Sequence, residues 1–529
     1  MAQPARAKWW DDVVSVDSIK LNDFTYLLWG DRVRRLGQPS GGKVRVSARG
    51  SEGEIPTDAL GGEPLLELYF VDVGQGDGVL VVTPEGHHLM IDGGLPRTRQ
   101  QTGKSAADFV DWKFHDDYLS DDERDDPASN RIQLDALIAS HPDLDHYGGL
   151  QDLIDAEAEA KWDELDTEGV TVEDFYHPGL CPQTTGTDEL GPKTDGHFTK
   201  LLDGRDSLLA GLSDDPGEAP AIRGLYKSFL EKVRETKRKS GAPTGVVRLS
   251  QETGFLPDFG PGDDTKVAIR VLAPIEKEIG GKPALRDLGD EGVNKNGHSV
   301  ALRLDYGDRR FLLTGDLNDQ SQEDILAHYG DAFASTWQVD VAKACHHGSH
   351  HVHVDFLRGV NALSTVISSG DANTYDHPRA WVLGGVAVTG RVIDGPKGRL
   401  KAPLVYSTEV ARSIALKDLH QLQEYDERQE FGRPKKEPVQ TVSGKKTIAR
   451  WRLVLEGSDK TAYHFPPVWG AKAMHSLIYG LVNVRTDGKR LLFAVRNEGN
   501  ASWSYETLEP DDIASAYRLE RPKRDGDED

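Results

Sequence analysis

The stretch LIASHPDLDHYGGL, Leu137 to Leu150, places His141, Asp143, Asp145 and His146 within six positions, after an apolar run and before Gly148–Gly149. Imidazole nitrogens and carboxylate oxygens are ligands for divalent transition metals, and metal-assisted hydrolysis is the chemistry such a set could serve. Crowded at the end of a core element, these groups carry a heavy desolvation cost unless they are paired or bind a cation. The plainer alternative is a polar turn that caps the following helix, with Asp145 as the cap. Residues of the same kinds recur downstream. His177 lies in FYHPGL, Asp316 in LLTGD, Lys343 and the His346–His347 pair in DVAKACHHGS, and His377 in SSGDANTYDHP. Each of the weaker ones has a bland reading beside the chemical one: His177 as a surface residue before a Pro-Gly turn, His377 as a turn residue, Lys343 as a strand-edge lysine. His350, His351 and His353 extend the histidine run as solvated residues at a helix start, and His298 has no motif around it. Asp77 and Asp92, in the Gly-rich stretches VDVGQGDG and MIDGG, suit orienting a ligand histidine better than ligation.

The elements that must position these groups can be read from periodicity. LDALIAS is a short buried strand, so the cluster sits on the loop at its carboxyl end, where function commonly sits. GGLQDLIDAEAEAKWDEL has the apolar spacing of a helix. PLLELYFVDVGQGDGVLVVTP and HHLMIDGG read as strands before it, and GVTVEDFYHPGL as a strand and loop after it. Strands return at KVAIRVLAP, HSVALRLDYG, RRFLLTGDL and VDVAKACHHGS, with a helix, DQSQEDILAHYG, between the last two. Strands and helices interleave, but the strands come in hairpin-like clusters. That predicts an α/β protein whose sheets carry helices on their outer faces.

Composition bounds the function. The chain has 529 residues, 37% hydrophobic and 28% charged, as expected of a folded protein. Lys and Arg number 63 against 87 Asp and Glu, a net charge of −24. A field of that sign repels nucleic acid, although bound cations or a local basic patch can reverse it at a site. Lys343 and the basic segment LYKSFLEKVRETKRKSG, which reads as a helix, are the local positive charge the sequence offers. No apolar run approaches a membrane span, the N-terminus lacks a signal-peptide pattern, and two cysteines, Cys181 and Cys345, fit a reducing compartment. A cytoplasmic location without membrane contact is expected.

The pattern H-x-D-x-D-H-x-G-G resembles the HxHxDH signature of the metallo-β-lactamase superfamily, with Asp143 where the second histidine stands. In this form it is similar to the hydrolase domain of ComEC-type DNA-internalisation competence proteins and their stand-alone relatives. VDVGQGDG, MIDGG, the strand pair ending at Asp316, DVAKACHHGS and the His377 motif agree in order; Gly78 departs from the serine usual after the Gly-rich loop. The resemblance implies a metallo-β-lactamase four-layer αββα sandwich over residues 63–380, within which the Gly, Pro and charge content of 180–265 reads as an insertion. Residues 1–62 would be a small β-rich segment, barrel-like or a set of edge strands. Residues 381–520 would hold an excursion, with a polar helix near ALKDLHQLQEYDERQE, and a β-rich part completing or flanking the fold; 521–529 would be a disordered tail.

The resemblance also implies two divalent metal ions, zinc or manganese. One would take His141, Asp143 and His177. The other would take Asp145, His146 and one of His346 and His347, with His346 favoured because it follows its strand directly. Asp316 would bridge both. Asp145, Asp316, His377 and Lys343 form the expected catalytic set, with His377 as proton donor or substrate contact and Lys343 against a phosphate. The implied activity is phosphodiester cleavage by a metal-bridging hydroxide, as a nuclease or a small-molecule phosphodiesterase. The similar competence-protein domain is associated with degrading one DNA strand during uptake, so DNA is a candidate substrate. The alternatives are an ester, lactone or thioester hydrolase on the same dinuclear site, or a non-catalytic metal-binding regulatory protein.

Overall fold

The computed structural model describes residues 10–100, 103–155, 165–183, 190–370, 377–396, 399–408, 480–497 and 502–518, and the strands Leu419–Glu424, Trp451–Leu455 and Tyr463–His464. Apolar and β-branched runs build two main sheets. The first orders its strands as Gly245–Arg248, Val170–His177, Ile132–Ile138, His88–Ile91, Val79–Val82, Leu66–Phe70, Val482–Thr486, Leu491–Arg496 and Trp503–Leu508. The first four run parallel. The rest pair antiparallel. The second orders Val267–Ala273, Ala301–Tyr306, Arg309–Leu313, Val341–Lys343, Ser364–Ile367 and Leu404–Ser407, with the last four parallel.

Alternation along each strand divides its side chains between two faces. Leu68, Phe70, Val81 and Ile138 of the first sheet share one buried cluster with Ile269, Leu302, Phe311 and Val366 of the second. On the other face of the first sheet, Leu80, Met90 and Phe175 pack with Val110, Leu150 and Phe229 from the helices Ala106–Trp112, Leu144–Ile154 and Gly224–Glu235. On the outer face of the second, Leu312 and Ala342 pack with Ile325, Trp337 and Phe356 from Asp319–Tyr329, Phe333–Trp337 and Val354–Val360. The result is a four-layer αββα sandwich, the α/β architecture read from the sequence. No helix among the described residues is long and apolar enough to cross a membrane.

Segments set apart by composition are worked into these layers. Within residues 180–265, Gly245–Arg248 is the edge strand of the first sheet and Gly224–Glu235 belongs to its helix layer. Leu404–Ser407 extends the second sheet, and three strands between 482 and 508 extend the first. The polar helix expected near 415–430 is corrected where the chain is described. Leu419–Glu424 is a strand paired antiparallel with Trp451–Leu455, so cross-strand pairing overrides local helix preference. The tail 521–529 lies outside the described residues.

The N-terminal residues form an antiparallel sheet of their own, Asp12–Val13, Arg32–Arg35, Lys43–Ala48 and Ser51–Pro56, over a small core that includes Val33, Val46 and Ile55. A buried charge network fastens this unit to the first sheet. Arg485, on the strand Val482–Thr486, lies 2.7 Å from Asp31 and 3.3 Å from Glu67, and donates to the Trp29 carbonyl at 2.7 Å. Arg49 meets Asp31 at 2.7 Å, and Arg32 meets Glu67 at 3.0 Å. Burial opposes ionisation of Asp31, yet Arg485 and Arg49 hold its carboxyl far below the usual range. Arg485→Ala would leave two buried carboxylates short of a cation. We expect a loss of about 3–5 kcal/mol in denaturant unfolding; a loss under about 1 kcal/mol would show that the network does not fasten the unit.

Candidate metal centre

Four strand ends converge here. Asp92 follows His88–Ile91, Ser140 and His141 follow Ile132–Ile138, Asp316 follows Arg309–Leu313, and His346–His347 follow Val341–Lys343. Ser140 donates to Asp92 through both its backbone N–H (2.7 Å) and its hydroxyl (2.6 Å). The helix Leu144–Ile154 starts directly after Asp143, but the Asp143 carboxylate makes no capping bond. Asp145 does not cap either; its carboxylate accepts from Gln75 Nε2 at 2.9 Å. The Gly148–Gly149 pair has a steric reason, because a Cβ on Gly149 would collide with the Gly93 carbonyl. Asp92, His346 and His347 all have left-handed backbones, with φ of 56°, 47° and 52°. Such conformations cost non-glycine residues of order 1–3 kcal/mol each and concentrate at functional sites.

Hydrogen bonding fixes the tautomers. His146 Nδ1 donates to Asp92 Oδ2 (2.8 Å). His347 Nδ1 faces Asp77 Oδ1 (3.1 Å) and the Ser368 carbonyl (3.2 Å), neither of which can donate. His141 Nδ1 meets the hydroxyls of Ser140 (3.1 Å) and Ser299 (3.3 Å), whose protons go to Asp92 and to the Asn296 carbonyl. In all three rings Nδ1 therefore carries the proton, and Nε2 is left to bind. The Nε2 atoms of His141, His146 and His347 are buried and make no hydrogen bond. Those of His146 and His347 each lie 3.2 Å from Asp316 Oδ2. One atom from each of Asp77, His146, Asp316 and His347 lies within 4.8 Å of every other.

The electrostatics ask for positive charge. Burial would lower the pKa of His347, but Asp316 and Asp77 reverse this and raise it to about 10. Burial likewise works against a charged His146, which Asp316 and Asp92 hold well above the ordinary range. Asp316, despite its burial, is held well below its usual value by His146 and His347. Burial pushes the Asp143 carboxyl up to about 6, against the pull of Lys295, whose Nζ is 3.4 Å away. Carboxylates that hold protons on two buried imidazoles are suited to divalent cations, which carry that charge without protons.

The candidates separate as follows. His141, Asp143, Asp145, His146, Asp316 and His347 come together. His347, rather than the favoured His346, is the buried member nearest Asp316; His346 Nε2 stands 3.8 Å from Asp316 and accepts from Asn296 at 3.4 Å. The tight left-handed turn swings the second histidine inward, which strand position alone does not reveal. His177 is not brought into the cluster. Its Nδ1 accepts the Gly179 N–H at 3.0 Å, so the neutral ring carries its proton on Nε2, and burial drives its pKa down to about 3. The Lys343 ammonium is buried against Asp77 and the Gly315 carbonyl, the latter at 2.9 Å, so it is an internal counter-charge instead of a phosphate contact. The His377 ring centre lies 5.9 Å from that of His346 and 6.4 Å from that of His347. Burial, then His347 and His346, push its pKa down to about 3, so at neutral pH it is an uncharged partner for a hydrogen bond. Sequence reasoning missed Ser140, Ser299, Gln75 and Lys295. Ser140 directly precedes His141, and that adjacency is the one signal that could have found it.

The residues fit divalent metal: three inward imidazole nitrogens without hydrogen bonds, and carboxylates within reach of them. A second grouping, His115, Asp116 and Asp166, is partly exposed and has Arg124 at 3.7 Å from Asp116. An αββα sandwich with histidines and aspartates gathered at its strand ends defines a metallo-β-lactamase-type domain. Residues 71–169 match the family model of the metallo-beta-lactamase superfamily, and the chain carries a domain of that superfamily. Within the superfamily it is a ComEC-like relative. It is 36% identical over 95 residues to Competence protein ComA of Neisseria gonorrhoeae, a stretch that is 18% of this chain and 13% of that protein. It is 31% identical over 92 residues to ComE operon protein 3 of Bacillus subtilis (strain 168), 17% of this chain and 11% of that protein. The matches thus span only about an eighth of the relatives' own lengths.

Asp92 touches Ser140 and His146, and orienting partners of this kind are worth about 10–100-fold in metal affinity. Asp92→Ala should weaken metal binding by that factor in a competition titration, while His298→Ala, whose Nε2 is committed to the Arg286 carbonyl at 2.7 Å, should not. Equal affinities for Asp92→Ala and the natural chain would exclude this role.

Proposed function

We propose that this chain is a metal-dependent phosphodiesterase. The observation that carries the reading is the inward set of His141, His146 and His347 Nε2 atoms beside the Asp316 carboxylate. His141, Asp143 and Asp316 would hold one divalent ion, and Asp145, His146, His347 and Asp316 a second. Bound there, the ions supply a nucleophile at neutral pH and stabilise charge on phosphate oxygens. An aspartate in place of a histidine at position 143 hardens the first site, which favours manganese or magnesium relative to an all-imidazole zinc site. Lys295, held by Glu291 and reaching Asp143, keeps that carboxylate in place. Neutral His377 would donate a hydrogen bond to a substrate oxygen. The likeness to two proteins named for competence, with the motif resemblance, directs the substrate search to nucleic acid. Cys181 and Cys345, both free and buried, suit the cytoplasmic location we propose with it.

The test is hydrolysis of bis(p-nitrophenyl) phosphate and of single- and double-stranded DNA with Mn²⁺, alongside a β-lactam, a lactone and a thioester. We expect diester cleavage, no β-lactam hydrolysis, and about two metal ions per chain by elemental analysis. DNA cleavage should fall steeply with added salt, because phosphate contacts release counterions. Asp316→Asn should stay folded and lose at least about 10³-fold in turnover. Cleavage of the lactone or thioester with no diester cut under Mn²⁺, Zn²⁺ or Mg²⁺ would overturn the reading.

A further inference from the structure

A cavity of about 510 Å³ borders the Gly-rich turn beside the centre. That volume falls within the roughly 300–1,000 Å³ of small-molecule sites. Asp72 and Gly74 line it, and the next residue, Gln75, is the one that donates to Asp145 at 2.9 Å. A ligand in the cavity and one at the centre would thus sit against the same short turn. Separate parts of the chain contribute to the remaining wall. Arg49 comes from the N-terminal unit, Phe109 and Trp112 from the helix Ala106–Trp112, and Arg496 from the end of the strand Leu491–Arg496.

The charges on this wall are unevenly answered. Arg49 is paired with Asp31 at 2.7 Å, and Lys113 is bound to Asp117. Lys104 stands 3.8 Å from Asp108, whose carboxylate also serves Arg97. Asp72 accepts the Gly74 N–H at 3.3 Å. Arg496 is exposed, it has no side-chain hydrogen bond or ion pair among the described residues, and the Arg49 cation on the same wall adds positive charge there. An arginine in that position gains from any anion that enters. Trp112 is half-buried, its ring centre 5.8 Å from that of Phe109, and its indole N–H has no acceptor among the described residues. A half-buried indole and an arginine without a partner among the described residues line one cavity, and an aromatic ring with a cation is the combination with which proteins hold a stacked base and its phosphate. An acidic peptide would satisfy the arginine and leave the ring unused. On the basic helix, Lys232 is paired with Asp155 at 2.8 Å and Arg234 with Glu235 at 3.2 Å.

We propose that this cavity binds one nucleotide of a single-stranded nucleic acid, with the base on Trp112 and a phosphate at Arg496. The proposal rests on the phosphodiesterase reading for its choice of ligand. It adds a site that would give a polynucleotide an advantage over a small diester.

The test uses the full chain with Asp316→Asn, which prevents cleavage, and fluorescein-labelled oligothymidylate read by fluorescence anisotropy. Arg496→Ala and Trp112→Leu are each added to that background. The expected result is binding by the parent, weakened about tenfold or more by either replacement, with metal content and thermal midpoint unchanged. Arg496 is at the surface, so its replacement keeps the test sound if Trp112→Leu disturbs the helix. Absence of oligothymidylate binding, or binding that neither replacement weakens, would overturn the proposal. So would equal displacement by polyglutamate, because a peptide carries no base. Cleavage of bis(p-nitrophenyl) phosphate by a chain that ignores oligothymidylate would overturn the cavity alone. Arg496-dependent binding without any diester cleavage would support the cavity and overturn the phosphodiesterase.

Discussion

The Asp316 carboxylate faces the Nε2 atoms of two buried histidines across 3.2 Å, with Asp77, Asp92 and Asp145 close behind. Burying several ionised groups so close together is costly unless cations meet the carboxylates and every remaining lone pair finds a donor. The surrounding fold supplies partners for part of the cluster, while Asp316 Oδ1 is buried without a hydrogen bond. Ser140 is held by Asp92, Ser299 receives the Asp316 N–H at 3.0 Å, and Lys343 closes on Asp77 from beneath. Two sheets packed face to face bring the required strand ends to one edge. Left-handed backbone at Asp92, His346 and His347 then turns side chains into a space that regular strands would miss. The local strain is sustained because both sheets fix the ends of each turn.

The pieces that flank the motif-bearing region are structural parts of it. The strand Val482–Thr486 pairs with Leu66–Phe70, and its Arg485 joins the N-terminal unit to the same sheet. Tyr69, on that paired strand, meets Arg485 at 3.2 Å through its hydroxyl and lines the cavity beside the Gly-rich turn. Segments far apart in sequence thereby form one seam next to the centre. Arg496, without a partner among the described residues, belongs to that seam.

Much of this was legible in the sequence for a physical reason. His141, Asp143, Asp145 and His146 are crowded because a strand end offers few positions, and no apolar core tolerates four such groups without a partner. Sheets with helices on their outer faces followed from strand clusters interleaved with helices, and the four-layer αββα order followed from the motif resemblance. Three things were hidden. His346 and His347 are adjacent, and only the φ of each shows which ring turns inward. His177 looks like a ligand by type and order, yet the Gly179 N–H sets its tautomer the other way. Lys343 looks like a phosphate contact, yet its partner Asp77 lies 266 positions earlier in the chain. Backbone handedness, tautomer and long-range ion pairing are all tertiary properties, and none leaves a local pattern. In the segment 180–265 the basic helix was legible, but the Gly, Pro and charge content is that of an insertion and hid the short strand Gly245–Arg248 and the joining of both to the layers.

The most direct measurement is anomalous diffraction at the manganese edge from crystals of the full chain soaked in Mn²⁺. The account predicts anomalous density bounded by the Nε2 atoms of His146 and His347 and the Asp316 carboxylate, with a second maximum beside His141 and Asp143. An ordered His146–His347–Asp316 cluster without anomalous density, with manganese found instead at His115, Asp116 and Asp166, would contradict it.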